Sequence, residues 1–129
     1  MQDLSCLGTV LVVEDDFLIA MDLERMLAAN GCNCVELAGS CQEAIERTSQ
    51  AEYDLVTVDV KLSDGDCVEL VRLLDDQGTP YIFVTGYDRG AYPAGPVPWV
   101  SKPVADDDLL AAIQTRLLGR ENFRSSAEL

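Results

Sequence analysis

The sequence predicts an α/β fold of (βα)₅ type, with five parallel strands and helices on both faces of the sheet. Three observations predict it. Short apolar runs alternate with amphipathic stretches along the whole chain. Alternation of this kind builds a parallel sheet, because each return to the same edge needs a crossover helix. The chain has 129 residues, 48% hydrophobic and 25% charged, which suits one domain around one core. Charged residues directly follow several of the apolar runs, at positions a parallel sheet would gather at one end.

The elements follow in order. "TVLVV" (9–13) reads as a buried strand. "DFLIAMDLERMLAANG" (16–31) reads as a helix with Ile19, Leu23, Met26 and Leu27 on one face; Asp16 is its N-cap and Gly31 its stop. "CVELA" (34–38) is the second strand. "SCQEAIERTSQ" (40–50) opens with a capping box, Ser40 followed by Glu43. "DLVTV" (54–58) is the third strand, and Asp66 with Glu69 signals a cap before the helix "CVELVRLLDDQG" (67–78). "PYIFV" (80–84) and "VPWV" (97–100) are the fourth and fifth strands.

Between the last two strands lies "GYDRGAYPAGPVP", with three glycines and three prolines. Proline costs a helix interior about 3 kcal/mol and glycine about 1 kcal/mol relative to alanine, so at most one helical turn is expected near 88–92, then an irregular loop. The last helix is expected over 105–119, with acids in its first turn and Leu109, Ile113 and Leu117 in register. The polar stretch 119–129 is expected to be a flexible tail. Right-handed crossovers leave few topologies, and the flavodoxin-like order 2-1-3-4-5 is favoured. Its direction reverses between strands 1 and 3, and ligands bind beyond the strand carboxyl ends at such a point. No linker or second domain is predicted.

Composition excludes several functions. The net charge is −14. A negative surface repels nucleic acid and anionic membranes, because binding phosphate needs a Lys/Arg patch. No apolar run approaches the ~20 residues of a membrane span. The first ten residues lack a basic region and a long apolar region, so no export is expected and the cytoplasm is the expected compartment. There is no histidine, so chemistry must rest on carboxylates, hydroxyls, lysines or thiols. Five cysteines without a CxxC read as reduced thiols packed as small hydrophobes. The sharper alternative is a thiolate metal site from Cys32, Cys34 and Cys41, although zinc sites ordinarily show tighter paired spacing and a fourth ligand.

The strand ends carry the candidate chemistry. Strand 1 is followed by Glu14, Asp15 and Asp16, strand 3 by Asp59, strand 4 by Thr85, and strand 5 by Ser101-Lys102-Pro103. Gathered at one end, three carboxylates repel strongly unless a cation sits among them. Hard oxygen ligands select Mg²⁺ or Mn²⁺. A lysine beside such a cation serves an anion bound at the same place. Metal, lysine and hydroxyl around one carboxylate suit a phosphoryl group, with Asp59 as nucleophile. Each residue alone has a plainer reading: a helix cap for Asp15 or Asp16, a β-branched strand residue for Thr85, a helix start for Lys102-Pro103, a loop cap for Asp59.

The motifs "LVVEDD", "DLVTVDVKLSDGD", "FVTGY" and "SKPV", in this order, resemble the receiver domain of two-component response regulators. The resemblance covers roughly residues 7–118 and implies a single CheY-like receiver domain over 1–118. It implies Asp59 as phosphoacceptor. It implies Glu14, Asp15, Asp59 and the Lys61 backbone carbonyl as ligands of Mg²⁺ or Mn²⁺. It implies Thr85 as switch hydroxyl, Lys102 as phosphate-contacting ammonium, and a cis Lys102–Pro103 bond.

"PYIFVTGY" is similar to the alphaproteobacterial subgroup named for a Phe-Ala-Thr-Gly-Tyr-like signature, with Val84 in place of Ala. Trp99 stands at the family's aromatic switch position, with prolines close before it in sequence. Ser63 stands where the family often has Pro. Lys61 and Tyr87 stand where the family flanks the path of attacking water.

The expected partners are a histidine kinase or histidine phosphotransfer protein and a downstream protein, with the chain a monomer or weak homodimer. A phosphate sink, a relay or an inactive receiver kept as an interaction surface are the alternatives. A stand-alone hydrolase is disfavoured, since aspartyl-phosphate phosphatases want a second Asp where Lys61 stands.

Overall fold

The computed structural model describes residues 4, 7–59, 67–86 and 97–128, with the side chains of Cys67, Thr85 and 118–128 outside the description. The elements are β1 (Thr9–Val13), α1 (Phe17–Ala29), β2 (Cys34–Ala38), α2 (Cys41–Gln50), β3 (Leu55–Asp59), α3 (Cys67–Gln77), β4 (Tyr81–Thr85), β5 (Trp99–Ser101) and α4 (Asp106–Glu128). The strands form one parallel sheet in the order β2-β1-β3-β4-β5, as predicted.

Strand alternation sends successive side chains to opposite faces. Val10, Val12, Leu55, Ile82, Val84 and Val100 pack with Leu23 and Leu27 of α1 and Leu109 and Ile113 of α4. Leu11, Val13, Val56, Val58 and Phe83 pack with Ala44 of α2 and Leu70 and Leu74 of α3. Helices α1 and α4 therefore cover one face, and α2 and α3 the other. Each fully buried leucine contributes about 1.5–3 kcal/mol of transfer free energy.

The caps are local. Asp16 accepts from the Leu18 and Ile19 N–H groups at 3.0 and 3.3 Å. Gly31 takes a φ of 101°, which ends α1 at little steric cost. The capping box at α2 differs from expectation in one bond. Ser40 Oγ accepts from Glu43 N–H at 3.0 Å, but Glu43 Oε1 accepts from Gly39 N–H, one residue before the cap. That bond, with Arg47 beside it, holds the Glu43 carboxyl below its usual pKa.

Several boundaries move. β3 and β4 each run one residue further than expected, so Asp59 and Thr85 are the last residues of their strands. β5 is shorter than expected, Trp99–Ser101. The final helix runs to Glu128 and not to 119, carrying helical backbone through the stretch expected to fray. No proline interrupts 119–128, and a lone Gly119 costs only about 1 kcal/mol. The readings for Asp66 and for the turn near 88–92 lie outside the described residues. The thiolate site from three cysteines does not form: Cys32 packs in the α1–α4 layer and Cys41 in the α2–α3 layer, across the sheet from each other.

Candidate functional site

The site is built where the α1–α4 face meets the carboxyl ends of the strands. Glu14 follows β1 with the parity of Val10 and Val12, which face this layer. Asp59 ends β3 with the parity of Leu55, and Lys102 follows β5 with the parity of Val100. Parallel register brings these ends level, since Val13 pairs with Val58 and Asp59 with Val84. Lys102 Nζ lies 2.8 Å from Asp59 Oδ2 and 2.9 Å from Glu14 Oε1. A lysine 43 residues away in sequence thus bridges two acids.

Both acids are buried, Glu14 at 3% and Asp59 at 4% exposure. Burying a carboxylate is expensive unless it is paired or hydrogen-bonded. Glu14 Oε2 accepts from Asp16 N–H at 3.1 Å. Glu14 Oε1 is paired with the Lys102 ammonium at 2.9 Å. Burial pushes the Glu14 carboxyl up to about 7; bonds from Lys102 and Asp16 N–H oppose this, and the Asp59 charge adds to it. For Lys102, burial works against the charge, but bonds and charge from Asp59 and Glu14 prevail and hold its pKa above the ordinary lysine value.

Asp15 is exposed at the rim, and carboxylate oxygens of Glu14, Asp15 and Asp59 lie within 4.8 Å of one another. Three carboxylates, two of them buried and sharing a single ammonium, are a donor set that fits a hard divalent cation. This is the metal-capable group of His, Cys, Asp and Glu found among the described residues.

Thr85 ends β4 beside Ser101 of β5, at the same edge of the sheet. Lys61, Ser63 and Tyr87 lie outside the described residues. The Lys102–Pro103 bond is cis. Trp99 is half-buried in the α2–α3 layer, across the sheet from Lys102, and pairs in register with Phe83. Sequence reasoning passed over Thr57. Its signal was a polar residue inside the apolar run "LVTV", and the structure buries it on the face that carries Asp59.

The profile of the response regulator receiver domain matches residues 10–114. The transcriptional regulatory protein PdtaR of Mycobacterium tuberculosis is 33% identical over 111 residues, covering 81% of this chain and 54% of that protein. The crystal structure of the anti-anti-sigma factor PhyR from Bartonella quintana superposes with a TM-score of 0.78 at 31% identity, covering 92% of this chain and 51% of that one. The solution structure of SdrG from Sphingomonas melonis Fr1 gives a TM-score of 0.77 at 27% identity, covering 86% of this chain and 97% of that one. The chain spans about half the length of the curated relatives it matches first. With the sheet order, the acidic cluster and this match over most of its length, the chain belongs to the response regulator receiver domain family.

Proposed function

We propose that this receiver domain accepts a phosphoryl group on Asp59 from a histidine kinase or histidine phosphotransfer protein, and signals by binding another protein. The observation that carries the reading is the buried Glu14–Asp59–Lys102 cluster at the sheet's reversal point. A structural ion pair would need one acid for one ammonium. Here two buried acids share it, which is a costly arrangement unless the surplus negative charge has a use.

Asp59 supplies the nucleophilic oxygen. Its O–P bond forms as the N–P bond of the donor phosphohistidine breaks, and the electron pair stays on the histidine nitrogen. Lys102 neutralises Asp59 before transfer and is within reach of phosphoryl oxygens attached to it. Glu14, Asp15, Asp59 and the Lys61 carbonyl would hold Mg²⁺ or Mn²⁺. When bound, the ion offsets negative charge on the transferring group. Thr85, last in β4, is the hydroxyl proposed to turn to the phosphoryl group and so report it to the surface.

The domain is a signalling switch and not a turnover enzyme, it works in the cytoplasm, and it acts as a monomer or weak homodimer. It contacts neither nucleic acid nor membrane; no helix among the described residues is long and apolar enough to cross a membrane. The description of the Bartonella PhyR as an anti-anti-sigma factor supports an output by protein–protein binding.

Incubation with acetyl phosphate and Mg²⁺ should leave acid-labile phosphate on the chain, and EDTA should prevent it. Asp59→Asn labelling as strongly as wild type would falsify the assignment. Phosphorylation without any gain in partner binding would favour a phosphate sink or relay.

A further inference from the structure

Among the described residues, large apolar side chains stand exposed in two places: Phe17, Leu18 and Met21 on α1, and Val68 on α3. Val68 is 62% exposed in the first turn of α3. It borders a groove of about 530 Å³ between α2 and α3. Half-buried Ile45 of α2 and Leu73 of α3 line the same groove. An apolar strip of this kind is what an amphipathic helix covers when it lies between two others.

The groove runs on into a second cleft, since Ser49 lines both. That cleft holds about 640 Å³ where α2 and α3 finish. Gln50 and Ala51 close α2 there, and Gln77 and Gly78 close α3. Gln77 Nε2 donates to Thr48 O at 2.9 Å and ties the two ends together. The last carbonyls of a helix carry partial negative charge, and here two helix ends supply it side by side. Glu52 is exposed at the cleft and Asp76 at the groove. No Lys or Arg lines the cleft, and in the groove Arg72 stands with both Glu69 and Asp76.

We propose that the α2–α3 groove docks an amphipathic helix of a partner protein, with its apolar face on Ile45, Val68 and Leu73 and with Lys or Arg side chains at the end that reaches the cleft. Charge decides the partner's chemistry. A basic end is attracted by two helix C-termini and by Glu52 and Asp76, whereas an acidic end is repelled. The net charge of −14 steers the same partner and disfavours a second copy of this chain. The acidic pocket lies on the opposite face of the sheet, under α1 and α4, so an occupied groove leaves it open. Docking does not require a phosphoryl group on Asp59.

The test uses the isotope-labelled full chain and two synthetic helical peptides with the same apolar face. One carries Lys at one end, and the other carries Glu there. Amide shifts in NMR spectra map where each binds. The Lys peptide should shift Ile45, Ser49, Val68 and Asp76 and leave Phe17 and Met21 in place. Val68→Glu puts a charge in the apolar strip and should weaken binding about tenfold. Asp76→Lys should weaken it about threefold, with the loss fading as salt rises. Both positions are exposed, so the variants keep the fold. Equal binding of the two peptides overturns the proposal, as does wild-type affinity in Val68→Glu. So do shifts confined to α1, or no shifts with about 1 mM Lys peptide. Shifts on α2 and α3 that follow protein concentration without peptide would make a second copy the occupant, and overturn it too.

Discussion

Replacing Lys102 by Met tests whether the ammonium holds the acidic pocket together. Met keeps the apolar stem and removes the charge. In the native protein Nζ sits 2.8 Å from Asp59 and 2.9 Å from Glu14, whose side chains are 5% and 1% exposed. Removing one partner of a buried ion pair costs about 3–5 kcal/mol, because a buried charge is left uncompensated. The lysine side chain is 20% exposed, so water already screens part of the attraction. The expected loss is therefore somewhat below that range, about 2–3 kcal/mol. Urea unfolding in EDTA measures it. Excess Mg²⁺ should then recover more stability in Lys102→Met than in wild type, since a cation supplies the missing positive charge. A loss below about 0.5 kcal/mol in EDTA, the range of ordinary surface substitutions, would refute the reasoning.

Two other outcomes are expected. Tyr81 is buried and donates to Asp75 at 2.9 Å; burial, then that bond and the Asp75 charge, push its pKa up to about 12. A raised folded-state pKa means stability is complete below the unfolded value near 10 and is lost as pH rises towards 12, by on the order of 2–3 kcal/mol. Tyr81→Phe should forfeit about 1 kcal/mol at neutral pH and show a shallower alkaline decline. Equal steepness in urea unfolding across that pH range would contradict the shift. Asp16→Ala removes the acceptor for two N–H groups at the start of α1 and should cost about 1 kcal/mol, read by thermal unfolding.

The sequence by itself determined the element order, the parallel sheet and the edge where charge collects. These are short-range matters: periodicity separates strand from helix, and a charge directly after an apolar run marks a strand tip. The gathering of Glu14, Asp15, Asp59 and Lys102 at one end of the sheet was legible for that reason. Element ends were less so: α4 runs through Gly119, where the sequence signals a stop.

Only the tertiary structure decided which groups touch. Register sets Lys102 against two acids at once, and no local pattern carries the register of strands 43 residues apart. Folding also decided that Cys32 and Cys41 lie on opposite faces. It buried Thr57 within the sheet, since burial belongs to all the elements that surround a residue and not to its neighbours in sequence. The run "DLVTVDVKLSDGD" announced Asp59. The closure of α1 and α4 over one face of the sheet made that carboxylate, Glu14 and Lys102 a single cluster.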